Sequence, residues 1–276
     1  MQIGIATFIT DEGVSPVDLG RALEDRAFDS LFITEHSHIP VSRETPYVFG
    51  EGDMPRVFYR TLDPFVALTA AAAVTTRLVL ATGVALVAQR DVIQTAKQVA
   101  SLDLVSGGRF LFGVGAGWNL EEMRSHGTDP RTRGARLEES LAAMKRIWTE
   151  EQAEFHGQHV EFAPMFAWPK PVQTPHPPIY VGGGSAAALN RVVDHGAGWL
   201  ALGASPEAIV RARRLFASRG RSDVKVALFG CPPEDELIAR YAEAGTDHLT
   251  LMLPTTPKSE TLSTLDTYAE LAAKQR

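Results

Sequence analysis

Short apolar runs rich in β-branched residues recur along the chain at residues 3–8, 30–34, 78–86, 110–114, 179–181, 199–202, 224–229 and 249–253. Between and after them lie segments with the 3.6-residue periodicity of amphipathic helices, at residues 16–27, 64–75, 92–105, 134–148, 186–195, 206–218, 234–244 and 260–274. Strands that are apolar throughout, each followed by a helix, predict parallel pairing through right-handed crossovers. Eight such units suffice to close a (β/α)8 barrel, and residues 1–276 are expected to form this one domain. An open doubly wound sheet is the other arrangement for alternating strands and helices. It would carry a glycine fingerprint after its first strand, where this chain has FITDEG.

Two connections exceed simple turns. The segment 38–62, after the second strand, holds prolines and aromatic residues without periodicity and is expected to form a lid or substrate loop at the carboxyl end of the barrel. The segment 150–178, between the fourth helix and the fifth strand, combines FHGQHVEF, which can form a small hairpin, with the extended connector PKPVQTPHPP.

Composition limits the function classes. With 45% hydrophobic and 22% charged residues, the chain has ordinary globular values and no apolar run of membrane-spanning length. A net charge of −6 offers no general attraction for a nucleic acid backbone, so a small-molecule ligand is expected. The single cysteine excludes an internal disulfide and a multi-cysteine zinc site. A strand-like segment from Gln2 leaves no leader pattern, and a cytoplasmic location is expected.

Chemistry in a barrel is assembled at the carboxyl ends of the strands. The fourth strand, RFLFGVGAGW, ends in Gly113, Gly115 and Gly117, which suits either a flat ligand lying on bare backbone or a tightly packed strand end. Among the titratable groups at strand ends, Glu35, His36 and nearby His38 suit acid or base work, with His36 the best placed; a structural histidine is the alternative. The fifth strand runs into Gly182, Gly183, Gly184 and Ser185 ahead of a helix. That loop reads as a phosphate cradle, or as a flexible helix cap. Phe8, Tyr47, Phe49, Phe58 and Trp118 are candidate pocket walls that could equally pack beneath their own loops.

Three stretches carry a family resemblance over almost the whole chain: LATGVALVAQRDVIQTAKQVASLDLVSGGRFLFGVGAGWNLEE, RGARLEESLAAMKRIWTE with FHGQHVEF, and PKPVQTPHPPIYVGGGSAAALNRVVDHGAGW. They resemble the luciferase-like monooxygenases, most closely the branch that uses the deazaflavin coenzyme F-420. The resemblance implies a non-prolyl cis peptide at Gly83-Val84 behind the cofactor ring, backbone beside the ring at Ala116 and Gly117, and a phosphate loop over Gly182 to Ser185. It also implies cofactor contact by Glu35 and His36, with His36 as proton donor or acceptor, and a homodimer. Where the sugar-phosphate dehydrogenases of the family carry a glutamate base, this chain has Trp118, which points to an apolar or conjugated substrate. The implied reaction is hydride transfer at C5 of coenzyme F-420. The alternatives are an FMN monooxygenase fed by a separate reductase, a non-catalytic flavin binder, and a metal-dependent hydrolase using His36 and His38, for which no further histidine or aspartate stands at the ends of the fifth, sixth and eighth strands.

Overall fold

The computed structural model describes residues 1–42, 44–47 and 53–275. The eight expected strands close into a parallel barrel: β1 (Gln2–Thr7), β2 (Ser30–Ile33), β3 (Val79–Thr82), β4 (Phe110–Val114), β7 (Ile179–Gly182), β8 (Gly198–Leu202), β9 (Lys225–Cys231) and β10 (His248–Met252). The remaining two strands, β5 (Ala153–His156) and β6 (Glu161–Met165), form the antiparallel hairpin expected in the second long connection. Glu139 pins its tip by accepting from the amides of Gln158, His159 and Val160.

Residues pointing into the barrel lumen form a cluster of their own, and large and small side chains alternate across neighbouring strands. Ala6 is in register with Phe32, Phe32 with Ala81, and Ala81 with Leu111. That alternation lets eight inward-facing strands share a narrow core without voids. A much larger apolar layer lies between the strands and the outer helices, which explains why the strands are apolar on both faces.

The helices are α1 (Pro16–Asp25), α2 (Pro64–Ala72), α3 (Val92–Ser106), α4 (Leu120–Ser125), α5 (Arg133–Thr149), α6 (Ala186–His195), α7 (Pro206–Ser218), α8 (Asp235–Glu243) and α9 (Lys258–Lys274). Side-chain caps begin six of them: Ser15, Asp63, Asp91, Asn119, Ser185 and Ser205 each accept from a backbone amide of the first turn. Gly107 ends α3 in the left-handed conformation.

Two differences from the sequence reading bear on the site. The run 78–86 is not one strand, because β3 stops at Thr82 and the Gly83–Val84 peptide is cis. Pairing resumes at Ala85, whose amide donates to the Gly113 carbonyl at 2.8 Å. The short helix α4, just past β4, was hidden by its length, since six residues cannot display a helical period.

Candidate active site

Strand ends and the loops after them enclose a cavity of about 670 Å³. This is within the usual range for a small-molecule or cofactor pocket. Gly83 and Val84 beyond β3, Ala116 and Gly117 beyond β4, and Gly182 and Gly183 at the end of β7 contribute its mostly bare wall. Gly184 is not among the lining residues, and a side chain there would meet nothing within 4 Å.

The glycines of β4 have different causes. A Cβ on Gly113 would stand 1.9 Å from the Thr82 carbonyl oxygen, and one on Gly115 would stand 2.5 Å from Val84 Cγ2. Gly113 is demanded by β3 and Gly115 by the Val84 side chain just beyond it, so at these two positions close packing is the reason for glycine. Gly117 adopts φ +81°, a left-handed turn that favours glycine.

The cavity has two chemically distinct ends. At one end Ser185 caps α6, its hydroxyl accepting from the Ala188 amide at 3.2 Å. Two arginines join it: Arg191 from the inner face of α6, almost buried, and Arg133 from the first residue of α5. Arg191 is braced by Glu138, whose Oε1 accepts from Nε at 3.0 Å. The Gly183 carbonyl accepts from Trp199 Nε1 at 2.7 Å, which holds the loop against β8. Backbone, hydroxyl and guanidinium groups thus form a donor set suited to an anion.

At the other end stands a cluster of rings from Phe8, His36, Tyr47, Phe58 and Trp118, all lining the cavity. Phe58 is its hub, with ring centroids 4.8 Å from Phe8, 5.3 Å from Tyr47, 5.5 Å from His36 and 6.3 Å from Trp118. Tyr47 and Phe58 arrive on the segment after β2. Phe49 lies outside the described residues. The described parts of that segment are tied down on both sides. Thr61 Oγ1 donates to the His36 carbonyl at 2.8 Å, and Glu121 accepts from the amides of Glu44 and Thr45. These contacts include a side-chain bond from Thr45, and although burial pushes the Glu121 carboxyl up, the bonds prevail and bring it down to about 2.

Glu35 and His36 are adjacent in the chain but held by different partners. Glu35 lines the cavity, yet its Oε2 accepts from the Leu86 amide at 2.7 Å and its Oε1 from Arg90 Nε at 2.6 Å. Burial raises its pKa, with Arg90 and the Leu86 amide opposing. Its carboxylate therefore ties β2 to the segment that follows the cis peptide. His36 Nδ1 lies 2.7 Å from Oε2 of Glu122 on α4. Burial pushes the Glu122 carboxyl up, but hydrogen bonds from His36, Ser37 and Gln89 outweigh it and leave the group below its usual range. His38 points elsewhere, its Nδ1 2.9 Å from Ser37 Oγ, which also meets His126 Nε2 at 2.6 Å. Among the described residues no group of three or more His, Cys, Asp or Glu side chains could hold a metal ion.

Glu122, Arg133 and Arg191 were not legible as site residues. For Glu122 a signal existed: Asn119 followed three residues later by Glu122 has the spacing of a helix start. The arginines carried none, since each sits in an ordinary amphipathic helix.

The model of the luciferase-like monooxygenases matches residues 12–275. The chain belongs to this family. A luciferase-like barrel of this kind is an oxidoreductase. An uncharacterized protein of Mycobacterium tuberculosis is 38% identical over 261 residues, covering 92% of each chain. An FMNH2-dependent dimethylsulfone monooxygenase of Pseudomonas putida is 43% identical over 98 residues, 34% of this chain and 26% of its own. A solved F420-dependent secondary alcohol dehydrogenase, bound to an F420–acetone adduct, superposes with a TM-score of 0.78 over 100% of both chains at 16% identity, a likeness of fold. Among the described residues, no helix of this luciferase-like chain is long and apolar enough to cross a membrane.

Proposed function

We propose that the protein is a coenzyme F-420-dependent oxidoreductase that transfers a hydride between the deazaflavin and a neutral, apolar or conjugated substrate. The observation that carries this reading is the polarity of the cavity: a cationic end at Ser185, Arg133 and Arg191, a bare glycine wall, and an aromatic end holding His36. The donor set fits a cofactor phosphate, and the wall from Gly83-Val84 to Ala116 and Gly117 fits a flat ring. When bound, the deazaflavin supplies the carbon that gives or takes the hydride.

The chain's own residues do the rest. Arg133, Arg191 and the Gly182-Gly183 backbone with Ser185 would hold the phosphate and so set the depth of the ring. Phe8, Tyr47, Phe58 and Trp118 exclude water from the aromatic end and favour an uncharged substrate. His36 Nε2 gives or takes the proton that accompanies the hydride. Glu35 serves this site from behind, by holding the backbone at Leu86.

A second reading, an FMN monooxygenase with a partner reductase, is supported by the similarity to the dimethylsulfone monooxygenase. Parallel fluorescence titrations of the purified protein with coenzyme F-420 and with FMN test the two. Micromolar or tighter binding of the deazaflavin with weak FMN binding is the expected result, and the reverse preference overturns it. With a substrate in hand, His36→Ala should abolish turnover, and unchanged turnover would remove His36 from the mechanism.

A further inference from the structure

Of the two oxygens of the buried Glu122 carboxylate, Oε2 faces His36 Nδ1 at 2.7 Å. Oε1 accepts from the Ser37 amide and from Gln89 Nε2, each at 2.9 Å, and lies 3.2 Å from the Ser37 hydroxyl, which is nearer to His38 Nδ1 and His126 Nε2. The hydrogen bonds from His36, Ser37 and Gln89 hold the Glu122 carboxyl below its usual range, so it is ionised at neutral pH, and an ionised carboxylate can only accept. The Nδ1 facing it must therefore carry the proton. In a neutral ring this leaves Nε2 with the lone pair. Among the described residues no protein group bonds Nε2, while the ring lies against Phe58 and Trp118 and lines the cavity.

We propose that Glu122 is the positioning residue for proton transfer at His36. It fixes the Nδ1–H tautomer, aims the Nε2 lone pair at the substrate end of the cavity, and balances the imidazolium that forms when Nε2 takes a proton. This role deepens the functional reading above and rests on it. For a substrate hydroxyl the step balances as follows: the O–H bond breaks and its proton forms Nε2–H, the electron pair left on oxygen forms the C=O bond, and the carbon-bound hydrogen leaves with its electron pair to the bound deazaflavin, which is reduced. The ring then carries one positive charge, 2.7 Å from a carboxylate that was ionised beforehand. Because Ser37, Gln89 and the Asn119-capped start of α4 hold Glu122 in advance, no rearrangement is needed when that charge appears.

The decisive experiment is 15N-detected NMR of the histidine rings in the cofactor-free protein, wild type against Glu122→Gln, at a pH where the ring is neutral. The wild type is expected to show His36 with Nδ1 protonated and Nε2 bare. In Glu122→Gln the amide can donate to Nδ1, so the opposite tautomer should gain population. A wild-type ring in the Nε2–H form, or a Glu122→Gln ring unchanged from wild type, overturns the proposal. Turnover supplies the second measurement: Glu122→Gln should lower kcat about a hundredfold with cofactor affinity within about twofold of wild type, and Glu122→Asp should recover part of the loss. If Glu122→Gln does not fold, Glu122→Ala is the substitute: with no acceptor opposite Nδ1 the Nδ1–H form should lose population, and an unchanged spectrum would count against the role. Full activity in His36→Ala would overturn the reading of His36 while the tautomer result stood, so the two failures are distinguishable.

Discussion

Arg90 reaches the buried Glu35 carboxylate with its Nε 2.6 Å from Oε1, and the same guanidinium fork extends to Asp63, 2.9 Å from Nη2. The arginine lies over the Phe65 ring and its Nη1 donates to Gln98 Oε1 at 3.0 Å, so four neighbours hold its charge. Only 6% of Glu35 is exposed. Arg90→Ala should cost about 3–5 kcal/mol, because it strands a buried carboxylate. Glu35→Gln should cost less, since a neutral side chain remains. Urea denaturation of the two variants at neutral pH checks the order.

Two glycines near the cavity, Gly113 inside β4 and Gly184 in the loop after β7, give a contrast. Gly113→Ala places a methyl group 1.9 Å from a backbone carbonyl in a paired strand, where nothing can give way. A loss of about 3 kcal/mol or more is expected. Gly184→Ala meets open space at an ordinary φ and should shift stability by less than about 0.5 kcal/mol. Thermal melts of both variants read this directly. A destabilised Gly184→Ala protein would mean that the loop is held more tightly than its contacts account for.

Arg133 and Arg191 carry the cationic end of the cavity. Each replaced by Ala should weaken binding of a phosphate-bearing cofactor about tenfold or more, as loss of one charge-assisted hydrogen bond implies. A dephosphorylated cofactor analogue should be nearly indifferent to either change. Fluorescence titration of the single variants with both forms tests the assignment, and equal losses for both forms would count against a phosphate at this end.

Acid stability should reflect a histidine far from the cavity. His248 is buried at the start of β10, its Nε2 2.5 Å from Ser30 Oγ, and burial lowers its pKa from 6.5 to about 4. The unfolded chain therefore binds a proton that the folded chain refuses. Stability from this group is complete above about pH 6.5 and is lost as pH falls toward 4, in total about 3 kcal/mol. Denaturation midpoints measured from pH 7 to pH 4 should fall more steeply for the wild type than for His248→Gln.

The barrel was legible because each of its strands is apolar throughout and each is followed by a periodic helix. A local pattern repeated eight times leaves few topologies. Likewise Ser185 announced both a helix start and a phosphate loop, and the pattern could not choose between them; the folded chain makes it a cap that also lines the cavity. The run 78–86 shows the limit of reading apolarity alone. Hydrophobic character continues through Val84, Ala85 and Leu86, whereas the strand geometry ends at Thr82.

The alternation of strands and helices, the position of His36 at a strand end, and the glycine-rich ends of the fourth and fifth barrel strands could all be read along the chain. These are matters of local composition and short-range period, which a linear chain displays. Folding alone pairs His36 with Glu122, 86 positions away, gives Glu35 to Arg90, and brings Arg133 and Arg191 to one end of the cavity. Pairings of that kind depend on how closing the barrel brings separate strand ends together, and no spacing along the chain encodes a distance across it.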